Sequence, residues 1–377
     1  MSRSLRLAYS LIIAAGLFSE LAAQTVLNMS DTAKTLAERW TLAREQASKK
    51  GFTKGVWIGY GITRVMGERS IIGSYSSDSR RNRPALGELI TGMSKVEDLT
   101  DFRLSGVSST EGVTDFGDGK QPRKMVKKEV GILIHLNGDG PESFDNVRVS
   151  NLSLHVDLEG DPLIWIGSAD QSGSVQFLES LYRKALTREA KKRVITAIGL
   201  HDPSAPAIDF LKNILLSSEP VDVRKETAFW LSQTQSADAR MILITAVRDD
   251  PSGEVREQAI FAISQMEGTA STDALITIAR SHSDTETRKH AIFWLSQKAS
   301  DKAVEALKEF VNRDEDSEIQ KSALFALTQA RDDGAVDDLI SIANSHPNPA
   351  VRKDAIFWLG QSDNPKALNA IIEIIKK

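Results

Sequence analysis

Five glutamines, Gln233, Gln265, Gln297, Gln329 and Gln361, stand 32 residues apart with no slip. The residues before each one recur as well: VRKETAFWLSQ, VREQAIFAISQ, TRKHAIFWLSQ, IQKSALFALTQ and VRKDAIFWLGQ. A fixed period of this size marks a solenoid, in which each unit contacts only its neighbours. Each unit reads as two helices. In the second, apolar residues fall ten, six, five, three and two positions before the glutamine, as Val351, Ala355, Ile356, Trp358 and Leu359 do in the final copy. The first is apolar six, ten, thirteen and fourteen positions after the glutamine, as at Ala303, Leu307, Phe310 and Val311. Both sets occupy one face of a helix. One pair cannot bury that face alone, so the units must stack. Solenoids of this kind are extended binding surfaces more often than catalysts.

A 64-residue period is laid over the first. Three positions before the glutamine the chain reads Trp230, Ala262, Trp294, Ala326, Trp358. Large and small residues alternate, which suits interdigitated packing between neighbours. His282 and His346 are also 64 apart, so duplication of a two-repeat unit accounts for both.

Residues 1–23 read as a signal peptide. Arg3 and Arg6 precede a 12-residue apolar run, Leu7–Phe18, and Ala22 and Ala23 place cleavage just before Gln24. Twelve apolar residues are too few to span a bilayer, and no later segment approaches that length. The expected location is periplasmic or secreted, in a bacterium. The absence of cysteine among 377 residues excludes disulfides, thiolate metal sites and a cysteine nucleophile. A net charge of -4 lacks the basic footprint of a nucleic-acid binder, so no nucleic-acid partner is expected.

Residues 24–160 read as a small α+β domain with a mainly antiparallel sheet. Ser30 or Asp31 is placed to cap a helix running to Lys49, with Ala33, Leu36, Ala37, Trp40, Ala43 and Ala47 on one stripe and Gly51 at its end. GVWIGYGITRVM and RSIIGSY are strand-like, being rich in β-branched and aromatic residues. Residues 77–123 read mostly as loop, with one short helix near Leu86–Met93. Two further strands lie in VKKEVGILIHL and VRVSNLSLHVDL; the alternation of the latter slips at Ser150-Asn151, which implies a bulge or a turn. From Pro162 the pattern reads as helical, with Trp165 as a first, degenerate rung, so residues 161–377 are assigned to the solenoid. The segment AKKRVITAIGL before His201 is a divergent second helix. Trp165 is expected to be buried at the joint, with the N-terminal domain capping the first repeat.

The string VRKDAIFWLGQSDNPKALNAIIEII resembles the HEAT-like repeat also found in phycobilisome lyases. It matches at Val351, Arg352, Ala355, Leu359, Gly360, Asn364-Pro365 and Leu368. The resemblance covers roughly residues 165–377 and does not extend to residues 25–160. It implies a mainly α fold, a HEAT-like α–α solenoid of 32-residue repeats behind the α+β domain. It also implies that the opening arginine ties repeats together, often through a carboxylate. Arg224, Arg256, Arg288 and Arg352 fit that role, and Gln320 departs from it. Three functions follow as alternatives: a non-enzymatic scaffold for protein partners, an enzyme related to bilin lyases or isomerases, and a structural spacer of the cell envelope. Export and the lack of any cofactor motif count against the enzyme.

The sequence contains no recognisable catalytic or cofactor motif. Its histidines, His135, His155, His201, His282, His290 and His346, form no H-E-x-x-H, and none is followed by glutamate. His282 and His346 begin helix-connecting turns and suit capping. No phosphate-binding glycine loop and no G-x-S-x-G elbow occurs. GDGKQ at 117–121 and NGDG at 137–140 read as turns rather than calcium loops. Metal, nucleotide and bilin are therefore not expected to be required. Arg80, Arg81 and Arg83 form a local basic cluster in SDSRRNR, read as a solvated loop or as a weak contact with an anionic surface.

One row of residues does not fit the core pattern. At 100° per residue from the helix-opening position, the core residues centre near about 50°. The position four before each glutamine falls at about 240°, almost opposite. The resemblance places this position on the concave face, where polar residues are usual. Here it is Phe229, Phe261, Phe293, Phe325 and Phe357. Lys225, Lys289, Lys321 and Lys353 flank it on one side, with Glu257 breaking the row, and the five glutamines flank it on the other. An apolar stripe rimmed by polar groups is a candidate protein-binding surface. The other reading is that each ring leans against the next repeat.

Overall fold

The computed structural model describes residues 25–31, 33–52, 55–68, 70–73, 85–91, 113–115, 124–137, 143–298, 300–330 and 335–376. The signal-peptide segment, the basic cluster at Arg80, Arg81 and Arg83, the GDGKQ turn and most of the NGDG turn lie outside the described residues.

The N-terminal unit comprises β1 (Val26–Asn28), α1 (Leu36–Lys49), β2 (Val56–Gly67), β3 (Ser70–Ile72), α2 (Leu86–Thr91), β4 (Val113–Asp115), β5 (Met125–Leu136), β6 (Phe144–Asn151) and β7 (Leu163–Ser168). Helix α1 starts later than Ser30 or Asp31 would place it. Thr35 and Glu38 form a capping box that satisfies the first-turn amides and fixes the start. The phase slip at Ser150-Asn151 is a turn, since β6 ends at Asn151.

Five strands form one mixed sheet in the order β1-β7-β2-β5-β6, and β3 pairs with β4 apart from it. The ladders β2–β5 and β5–β6 are antiparallel, while β7 runs parallel to both β1 and β2. Strand β7 corrects the sequence reading. Leu163–Ser168 is not the first rung of the helical array but a strand in the sheet, so the array begins at Gln171 rather than at 161. A four-residue run of Leu, Ile, Trp and Ile is buried on both faces, which suits a strand lying between two others.

The two sheet faces have separate jobs. Ile58, Tyr60, Ile62, Ile132, Ile134, Ile164 and Ile166 share one continuous core with α1 and the helical array. Trp57, Leu133, Leu163 and Trp165 face the other way and are covered by α2 and the 152–158 segment. Trp165 is buried as expected, but on the far face from the joint. Glycine makes room for it: a Cβ at Gly59 would lie 2.4 Å from Leu133 and 3.2 Å from the Trp165 ring. At the joint itself, Phe177 packs edge-on against Trp40 (5.2 Å) and Tyr60 (5.8 Å). Buried Arg39 donates to the carbonyls of Ile166 and Ser168. Gln171 and Asp202 exchange two hydrogen bonds of 2.8 Å, and Gln171 also donates to the Thr63 carbonyl of β2.

Helices then alternate: α3 (Gln171–Lys184), α4 (Arg188–Gly199), α5 (Ala205–Leu215), α6 (Val221–Gln233), α7 (Ala237–Asp249), α8 (Gly253–Gln265), α9 (Thr269–Ser281), α10 (Thr285–Ser296), α11 (Asp301–Arg313), α12 (Ser317–Ala330), α13 (Val336–Ser345), α14 (Pro349–Gly360) and α15 (Pro365–Ile375). They stack as antiparallel pairs, and no strand interrupts them among the described residues. Ala303, Leu307, Phe310 and Val311 are all buried, as their spacing predicts. The second helices of successive pairs pack on one another more extensively than the first helices do, which makes them the inner row.

Polar ties run from repeat to repeat. Arg224 makes a bidentate pair with Asp250 at 2.9 and 3.0 Å, Arg256 reaches Asp284 at 3.0 Å, and Arg288 pairs with Asp314. Gln320 departs from arginine, and its partner departs too. Asn348 takes the place of the acid and donates to the Gln320 side chain at 2.9 Å. Arg352 donates instead to the carbonyls of His346 and Pro347. His282 and His346 act alike: Nδ1 accepts from the amide two residues on, and Nε2 donates to Val247 or Val311 of the previous repeat.

Two outcomes follow. Residues 169–377 expressed alone expose the apolar face of α3 and α4 that the sheet covers, so they should aggregate or lose cooperative unfolding; a soluble, cooperatively melting fragment would refute the capping role. Arg224→Met leaves Asp250, only 6% exposed, without its counter-charge. It should cost about 3 kcal/mol in urea denaturation. Arg224→Gln combined with Asp250→Asn should recover most of that loss, because it copies the amide pair at 320 and 348.

Candidate interaction surface

The phenylalanine row lies along the inner helices, and its exposure is graded. Phe293 is 45% exposed, Phe325 39% and Phe357 57%. Phe229 and Phe261 are half-buried, and Phe229 packs against the core. Both sequence readings therefore hold at different rungs. Phe261 leans on Trp294 of the next repeat (ring centroids 5.0 Å), and Phe325 leans on Trp358 (5.3 Å). Phe293 and Phe357 touch only the edge of their own neighbouring tryptophan, at 5.1 Å.

The tryptophans set this geometry. Trp294 fills the gap between α8 and α10, and Trp358 the gap between α12 and α14. These gaps are wider than those between α6 and α8 or between α10 and α12, where Ala262 and Ala326 allow close approach. Trp230 sits over Gly199, where any Cβ would lie 2.5 Å from its ring, and its indole N–H donates to Glu226 at 2.8 Å. Large–small alternation thus produces an inner face with two-repeat steps. Each Trp294 or Trp358 is flanked by two phenylalanine rings, one from its own repeat and one from the repeat before.

Gln233, Gln265, Gln297, Gln329 and Gln361 are all exposed beside the phenylalanines. Four of them are pinned by a feature that sequence reasoning missed. Ser232, Ser264, Ser296 and Thr328 donate to the carbonyls of Phe229, Phe261, Phe293 and Phe325 at 2.6–2.7 Å. The following glutamine amide donates back to that hydroxyl, at 3.0–3.2 Å in the three serine repeats. The signal was visible as a Ser or Thr before each of these glutamines; Gly360 breaks it.

The lysine row is largely neutralised. Lys225 reaches across to Glu254 of α8 at 3.0 Å, while Lys289 and Lys321 pair with Glu286 and Glu318 of their own helices at 3.0 Å. Lys353 is exposed and stands outside these pairs. Glu257, which breaks the row, faces His290 at 3.6 Å. At the N-terminal end of the face a cleft of about 790 Å³ is lined by Arg188, Lys192, Asp222, Lys225, Glu226 and Phe229 among others. Its charges are also mutually paired, as Arg188 with Asp222 at 3.9 Å. Among the described residues no cluster of three or more His, Asp or Glu side chains is arranged to hold a metal ion. No described helix is long and apolar enough to cross a membrane.

Comparison with known proteins agrees with the helical pairing. Residues 175–264, 208–281 and 272–345 match the HEAT repeats family. No curated protein matches the chain. Similar solved structures include human deoxyhypusine hydroxylase in complex with glycerol (20% identity, 52% of this chain and 76% of that one, TM-score 0.24). They also include the complex of CpcE and CpcF of phycocyanin lyase from Nostoc sp. (17%, 52% and 79%, 0.29). The condensin Cnd3-Cnd2 subcomplex of S. pombe is a third (20%, 54% and 30%, 0.31). At these scores the likenesses say nothing of activity.

The exposure gradient predicts a split in mutant stabilities. Phe293→Ala should cost about 1 kcal/mol or less, because its ring is half in water, whereas Trp294→Ala empties the gap between α8 and α10 and should cost on the order of 3 kcal/mol. Equal losses in urea denaturation would show that the row is core rather than surface.

Proposed function

The helical array of this chain is a HEAT-repeat solenoid, and on that premise we propose that it is an exported, non-enzymatic scaffold that holds a protein partner against its inner face. The single observation that carries this reading is the row Phe293, Phe325 and Phe357. Three large apolar rings at successive rungs are 39–57% exposed. Rings this exposed gain little from folding, whereas an interface would bury them: apolar anchors surrounded by a polar rim are the usual anatomy of binding surfaces. The exposed glutamines supply that rim, four of them held in place by bonds to the preceding serine or threonine. The paired lysines add polarity without a strong field of one sign. Contact would therefore depend on shape and apolar burial more than on long-range attraction.

The test is affinity capture from an envelope extract of the source organism, read by mass spectrometry, with the wild-type chain and a Phe325→Ala/Phe357→Ala variant of unchanged fold. A specific protein recovered by the wild type should be lost or weakened at least tenfold with the variant. Equal recovery would remove the phenylalanine row from the interface.

A further inference from the structure

A chain of three buried hydrogen bonds crosses the joint between sheet and solenoid. Tyr60 on β2 bonds to Ser174 on α3 at 2.8 Å, Ser174 bonds to His201 Nε2 at 2.8 Å, and His201 Nδ1 bonds to the Ala197 carbonyl at 2.8 Å. The directions follow from the last partner. A carbonyl only accepts, so Nδ1 carries the proton and Nε2 accepts from the Ser174 hydroxyl. Ser174 has then spent its hydrogen and accepts from Tyr60. All three residues are buried.

We propose that Tyr60, Ser174 and His201 form a proton-operated latch, which holds the sheet against the first helix pair and releases it in acid. Protonation at Nε2 makes both ring nitrogens donors. Ser174 must then accept from His201, and whether it also accepts from Tyr60 or donates to it, one of the two hydroxyl hydrogens loses the acceptor that Nε2 provided. A buried donor without an acceptor and a buried charge are both costly. Opening the joint relieves both.

The surroundings favour the neutral ring. From β2, Arg64 presents a second cation; from α3 come Ser174 and Gln171, both neutral. The acid beside His201 is Asp202, and it is already engaged by Gln171 at 2.8 Å, by the Val65 amide at 3.3 Å and by Arg64 at 3.8 Å. Burial pushes His201 from 6.5 down to about 4; the bond to the Ala197 carbonyl partly opposes this, and Arg64 adds a smaller downward push. A folded-state value below the unfolded one means that the open state binds the proton better. The latch is therefore fully closed above about pH 6.5, and its contribution is lost as the pH falls toward 4.

The experiment is amide hydrogen exchange on the full chain from pH 7 to pH 4, corrected for intrinsic rates. Protection in β2 and α3 should fall at least tenfold across that range while α8 and α10 stay protected. In His201→Gln the loss should move down by at least one pH unit. Simultaneous loss along the whole chain, or the same pH dependence in the variant, would overturn the latch. Should the variant not fold, nitrogen chemical shifts of labelled histidine in the wild type decide. His201 as a neutral ring protonated on Nδ1 at pH 6, titrating below 5, supports the proposal; a charged ring at pH 6 refutes it.

Discussion

Every helix pair in this molecule owns only half of a core. The apolar stripe of one pair is buried by the next, so the array is stable only if something closes its first face. The sheet does this. Ile58, Tyr60 and Ile62 of β2 continue the same core that runs through Val194, Leu231, Ile263 and Leu295. The N-terminal unit is therefore not a neighbour on a linker but the first layer of the stack. Its other face is a separate small core under α2, which leaves the joint face free to follow the helices.

Within the array, packing and polar ties divide the work. Apolar stripes supply attraction without direction, since hydrophobic burial scales with area rather than geometry. The arginine–aspartate pairs supply the register. Removing one buried partner strands the other, so shifted stacking is costly even though the intact pair adds little net stability. Gln320 and Asn348 show that the geometry matters more than the charge, because a neutral amide pair occupies the same place. His282 and His346 add a second tie every two repeats, from a turn to the preceding outer helix.

The inner face inherits its pattern from this packing. Tryptophan and alanine alternate because two large residues facing each other would overfill the gap and two small ones would leave a cavity. The consequence reaches the surface. Phe261 and Phe325 rest on a tryptophan of the next repeat, whereas Phe293 and Phe357 meet their own and are the most exposed rings of the row. A partner on this face would meet apolar rings at every rung but meet them most fully at Phe293 and Phe357.

Much of this was legible in the chain. Helical stripes are local patterns, so the 32-residue period alone determined the helix pairs and most of the buried positions, Val351, Ala355 and Leu359 among them, while Ile356 and Trp358 on the same stripe are only half-buried. The two-repeat alternation determined where the stack would be wide and narrow. What the sequence did not determine were contacts between distant segments. Leu163–Ser168 reads as part of the array because it adjoins it, yet pairing with β1 and β2 makes it a strand. Trp165 reads as the joint, but the side chains of a strand point to opposite faces and the ring falls on the far one. The exposure of each phenylalanine was equally hidden, because helical phase gives direction and only the neighbouring repeat decides whether a tryptophan covers the ring. Nor could spacing bring Tyr60, Ser174 and His201 together; three segments far apart in sequence meet there because the sheet closes the stack.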